Sequence, residues 1–134
     1  MNVLPYLPII AAGLVPFLVG SIWYHPKIFG EMWMRMKRIT PDMAERSSRL
    51  ALHTTAVMIA LGILSAFMLS RVLYALAIDT YVVSVVVAFC VWIGFVIPVT
   101  INRVLWDHES LALYGIETGQ WLVSLCIMAI VLID

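Results

Sequence analysis

Charged side chains are scarce in this sequence. Eight basic and eight acidic residues make up only 12% of its 134 positions, against about 25% in a typical soluble domain. Hydrophobic residues supply 63%, and mean hydropathy is +1.03. An ordinary water-soluble domain is excluded, and no nucleic-acid partner is expected. Cysteine is nearly absent too. Cys90 and Cys126 both lie inside apolar runs, with no Cys-x-x-Cys and no zinc-type spacing, so they read as two small buried hydrophobes rather than a disulfide. The N-terminus lacks a basic stretch and a small-residue cleavage site, so the first helix is expected to remain in the mature protein.

Other absences narrow the chemistry. There is no His-x-x-x-His and no Glu-x-x-His, and neither a Cys–His nor a Ser–His pair stands out. No catalytic residue, metal site or cofactor is therefore assigned. The middle and outer parts of the apolar runs hold no carboxylate and no histidine, which argues against a proton- or ion-coupled pump, whose relays sit near the midplane.

What is present is four apolar runs. They predict an all-α, single-domain integral membrane four-helix bundle, with spans at about 5–24, 50–70, 80–103 and 114–133 and a short interfacial amphipathic helix over 26–38. Pro5 and Pro8 suit a helix start and Pro16 predicts a kink. Pro26 biases His25 out of helical geometry and predicts the first stop near Tyr24. Thr40-Pro41-Asp42 opens a helical pattern that can run unbroken to about Ser70. Twenty-one residues without formal charge separate Arg49 from Arg71. Pro98 predicts a kink in the third span, and Glu109 is a candidate cap for the fourth helix.

Small residues recur at helical spacing. Ala12, Pro16 and Gly20 form one row, Gly62, Ala66 and Ser70 a second, and Gly115 and Gly119 a Gly-x-x-x-Gly. Gly62, Ala66, Gly115 and Gly119 are the candidate helix-packing positions. So small a bundle exposes much surface to lipid, and with these rows a homo-oligomer is expected.

Orientation follows from the lopsided distribution of lysine and arginine. Lys27, Arg35, Lys37, Arg38, Arg46 and Arg49, six of the eight basic residues, fall in one connection. The positive-inside rule puts the 25–49 and 103–114 connections in the cytoplasm and both termini outside the inner membrane. Trp23, Tyr24, Pro26, Phe29, Gly30 and Trp33 are the expected interfacial anchor, with Ile28, Met32 and Met36 on the apolar face of the surface helix.

The run Trp23-Tyr-His-Pro-Lys-Ile-Phe-Gly30, followed by Met32-Trp-Met34, resembles the signature of the domain-of-unknown-function family 1761, small multi-helix membrane proteins of bacteria and fungi. Leu105-Trp-Asp107 and Ile116-Glu-Thr-Gly-Gln-Trp-Leu-Val-Ser124 fit the same pattern. The resemblance implies a four-helix integral membrane protein and supplies no reaction.

Mapped onto this topology, His25, His53, Asn102, His108, Glu117 and Gln120 lie near the basic surface and are the candidate ligand-binding residues. His53, Asn102, Glu117 and Gln120 are expected to line a shallow cytoplasmic vestibule; the plainer alternative is that each pairs locally or reaches the interface. Trp23-x-His25 and Trp106-x-His108 leave open a parallel two-helix repeat. The expected function is non-enzymatic assembly with itself or a partner; the alternatives are a transporter or channel-like subunit for a small or lipidic solute and, second, a membrane enzyme or cofactor carrier using the polar cluster.

Overall fold

A computed structural model describes residues 6–134, whose regular elements are all helical, with no strand among them. Helix α1 (Leu7–Trp23) has Pro8 near its start, where a missing N–H costs little, and runs unbroken through Pro16. Pro5, the expected first residue, lies outside the described residues. The chain turns at His25, whose extended backbone (φ −64°, ψ 139°) is the geometry that the following proline favours.

The segment after Pro26 is not one regular helix. A π-helical turn (Pro26–Gly30) is closed by the Gly30 N–H donating to the His25 carbonyl at 3.0 Å, and leads into α2 (Glu31–Lys37). This unit is bent by 53° from α1. Gly30 is a steric requirement, because a Cβ there would run into the Tyr24 carbonyl.

Thr40 caps α3 (Pro41–Arg49) by accepting the Met43 N–H at 3.3 Å. The expected continuous helix to Ser70 breaks at Leu50, whose N–H turns back to Ser47 while the Ser48 hydroxyl bonds the Glu45 carbonyl. Serines compete for backbone partners in this way, and that weakens a helix end. Helix α4 (Ala51–Ala75) then continues five residues beyond Ser70.

The third apolar run spans Tyr81–Leu105 in pieces: α5 (Tyr81–Val91), a π-turn (Trp92–Val96), α6 (Ile97–Thr100) and α7 (Asn102–Leu105). Pro98 has no N–H and its ring crowds the carbonyl four residues earlier; the π-turn is the relief, placed just upstream of the proline. Helix α8 (Leu111–Ile133) is capped by Ser110, which accepts the Leu113 N–H at 3.1 Å. Glu109 is not the cap.

Helices α4, Tyr81–Leu105 and α8 are each long and apolar enough to cross a membrane, and α1 with its bent continuation makes a fourth candidate. They pack as a curved row, α4 on α1, α1 on α8 and α8 on α5, while α4 and α5 scarcely touch. Between α1 and α4 the backbones meet at Gly13 and Gly62: a Cβ on Gly13 would sit 2.6 Å from the Ile63 Cα, and one on Gly62 would strike the Gly13 carbonyl. Ala12, Ala66, Ala88, Met128 and Ala129 are fully buried where neighbouring helices of the row pack together. The two Trp-x-His corners are not equivalent. Trp23 is packed and His25 extended, whereas Trp106 is 79% exposed and His108 has φ 56°.

Candidate functional site

The site forms where the bent α2 returns to the first turns of α8. One Glu117 carboxylate oxygen accepts the Trp33 indole N–H at 3.0 Å and the Lys37 ammonium at 2.9 Å. The other is paired with the Arg103 guanidinium, which also holds Glu109. Trp33 and Lys37 are four residues apart, so one face of α2 presents both, and Lys37 lies 5.5 Å from the Trp33 ring centre. Two cations and two carboxylates thus close on one another with zero formal charge. Glu117 itself is largely covered, its side chain 14% exposed.

Around this cluster, side chains from three elements bond to α8. The Trp23 indole donates to the Ile116 carbonyl and the Trp92 indole to the Thr118 carbonyl, each at 2.9 Å. A carbonyl has two lone pairs, so these bonds need not break the helix. The Gln120 amide donates to the Pro16 carbonyl at 3.0 Å and is within 3.2 Å of Ser124. Gly119 lets the Trp23 ring lie against α8, for its Cβ would come within 3.3 Å of that ring. The Tyr114 and Thr100 hydroxyls meet at 2.9 Å.

An opening of about 390 Å³ between α1, α4 and α8 is lined in part by Tyr24, Gln120 and Trp121, and two more flank the cluster. A recess of about 200 Å³ is lined by Tyr24, Val96, Thr100, Arg103, Glu117, Thr118 and Trp121. A larger apolar groove of about 510 Å³ lies between the row ends that fail to meet: Leu64, Met68 and Val72 of α4 on one wall, Val91 and Val96 of the third run on the other, Trp121 and Leu125 of α8 as floor. Val96, Thr100 and Trp121 line both, so recess and groove adjoin.

The expected vestibule lining assembles only in part. Glu117 and Gln120 are drawn into different bonds on adjoining faces of α8, while His53 and Asn102 are exposed and line none of these openings. His53 precedes Gly62 by nine residues and so falls about 180° from the packed face of α4. Asn102 is displaced in the same way from Thr100, whereas Arg103 returns toward Thr100's face. His25 uses its Nδ1 to accept the Lys27 N–H at 3.2 Å, and His108 is exposed in a left-handed turn. Among the described residues no three of His, Cys, Asp and Glu come together.

The expected anchor residues engage protein. Phe29 packs on Trp23 with ring centres 4.7 Å apart, Tyr24 on Trp33 at 5.2 Å, and Gly30 is buried. Ile28 and Met32 stay exposed, as the surface-helix pattern requires. Of the packing positions, Gly62, Ala66 and Gly119 lie at contacts, but a Cβ on Gly115 would meet nothing within 4 Å. Sequence reasoning missed Lys37, Thr100, Arg103, Tyr114 and Trp92 as partners. Trp92 carried a signal: an indole N–H in the middle of an apolar run must find an acceptor.

Fold and cluster together define a multi-helix protein with membrane-compatible spans, tied at one end by indole, amide and ionic contacts to a single helix. The chain belongs to the family described as "Protein of unknown function (DUF1761)", whose model matches residues 7–133. No curated protein and no solved structure matches it.

Proposed function

We propose that the protein is a four-span protein of the inner membrane, with the basic connection in the cytoplasm, that takes up a lipidic solute from the bilayer. The binding place is the groove between α4 and the third span. One observation carries this reading: the apolar groove adjoins a polar recess through Val96, Thr100 and Trp121, so chain and head of an amphiphile find matching surroundings side by side. Its volume falls within the usual range for small-molecule sites, about 300–1,000 Å³. The test is native mass spectrometry of protein released from nanodiscs. A bound lipidic species should persist with the unaltered protein and be lost from Ser65→Phe, which fills the groove from α4. Equal retention by both proteins refutes the reading.

A second reading, homo-oligomeric assembly, is favoured by Gly115. This glycine is exposed at the start of α8 and has no internal packing role, leaving bare backbone that a second copy can approach. A Gly115→Cys variant should then give disulfide-linked dimers in membranes and Gly115→Leu should reduce the oligomer. An unchanged monomer mass in both removes this reading.

A further inference from the structure

We infer that the solute is a single-chain amphiphile with an uncharged, hydrogen-bonding head, a long-chain or isoprenoid alcohol being its simplest form. The inference rests on the proposed groove reading and adds the chemistry of the occupant.

The head is decided by charge. Arg103 and Lys37 are already matched by Glu109 and Glu117, all within hydrogen-bond reach, so the rim of the recess carries no net charge. An anionic head would compete with Glu117 for Arg103 and leave surplus negative charge where Glu117 is 14% exposed. A cationic head would face two cations already in place. Unmatched charge at such depth is costly, and breaking one partner out of a covered pair is worse. The rest of the polar lining is uncharged: Tyr24, Thr100, Thr118 and Trp121, with the two threonine hydroxyls already donating to backbone carbonyls and left as acceptors. These suit a hydroxyl or carbonyl head, which both gives and accepts hydrogen bonds or accepts alone.

The chain is decided by volume. Leu64, Met68 and Val72 share one face of α4 and oppose Val91 and Val96 across a groove of about 510 Å³. At roughly 30 Å³ per methylene-sized unit, taken as the volume share of a water molecule, this holds one long chain and not two. The membrane itself supplies such molecules, and the groove opens sideways to it.

The experiment uses the full chain in dioleoyl-phosphatidylcholine nanodiscs and a diazirine-bearing hexadecanol, with labelled peptides mapped by mass spectrometry. Labelling should concentrate in 64–72, 91–96 and 121–125 and vanish in Ser65→Phe. Unlabelled 1-hexadecanol should compete at least tenfold more effectively than hexadecyl sulfate or hexadecyltrimethylammonium. Trp121→Phe, which keeps an aromatic ring but loses the N–H with its five-membered ring, should weaken that competition about threefold to tenfold, the effect of one hydrogen bond, while the protein still unfolds cooperatively. If a charged competitor matches the alcohol, the uncharged head is wrong and the groove reading stands. If label spreads evenly over the outward faces of the third span and ignores Ser65→Phe, both fall.

Discussion

Glu117 is the one carboxylate in the fourth apolar run, and its neighbours explain how it is tolerated there. Three donors from two other elements converge on it, so the helix that carries it is tied to α2 and to the end of the third span at once. Replacing it by glutamine keeps the shape, removes the charge, and leaves Lys37 and Arg103 facing each other. Glu117→Gln should lower stability by about 1–3 kcal/mol, the usual effect of leaving a covered polar group poorly paired. Lys37→Met should cost less than about 1 kcal/mol, since the lysine side chain is 38% exposed and exposed ion pairs contribute little. Thermal unfolding of the two variants in the same detergent orders these effects; a larger loss in Lys37→Met would show that α2, not Arg103, holds the carboxylate. Trp33→Phe keeps an aromatic ring beside Tyr24 but loses the indole N–H together with its five-membered ring, so about 1–2 kcal/mol is expected.

At the level of helices, backbone approach matters more than polar pairing. Gly62→Ala would drive a methyl into the Gly13 carbonyl, and overpacking of this kind typically costs about 1–3 kcal/mol. Gly115→Ala, with open space around its Cβ within the protomer, should not destabilise the monomeric protein and gives the internal control under conditions where it is monomeric. Unfolding of the pair in one detergent series checks both. The contrast also marks what the sequence could reveal. The long apolar helices were legible, because each apolar run is of a length that suits a helix able to cross a bilayer, and His25-Pro26 stated its own turn through proline sterics. The small-residue rows were legible as candidates, yet spacing alone treats Gly115 and Gly119 alike; only the register of α1 against α8 sets the Trp23 ring on one and not the other. The break at Leu50 and the π-turn at Trp92 were hidden for a different reason. Each depends on local hydrogen-bond competition that hydropathy does not record. The polar site was half legible: Glu117 and Gln120 announced themselves by depth. The Trp33 partner of Glu117 and the Pro16 partner of Gln120 lie 84 and 104 residues away, and His53 was placed by depth without regard to the side of the helix.

Across the whole molecule, the row of spans is fastened unevenly. Indole, amide and ionic contacts gather at the basic end, where α1, α2 and the third span all reach α8, while α4 is held to α1 by glycine contact and barely meets α5. Between α4 and the third apolar run this leaves the apolar groove. The tied end also carries six of the eight basic residues, and on the orientation proposed above the positive-inside rule would turn the ionic cluster toward the cytoplasm. That orientation is testable without any knowledge of the ligand. With Cys90 and Cys126 replaced by alanine, Ser47→Cys should react with a membrane-impermeant maleimide only after the cells are opened. Ala77→Cys, in the exposed turn between α4 and α5, should react in intact cells. The reverse pattern would put the Glu117 cluster at the outer surface and make an amphiphile reach the groove from the outer leaflet.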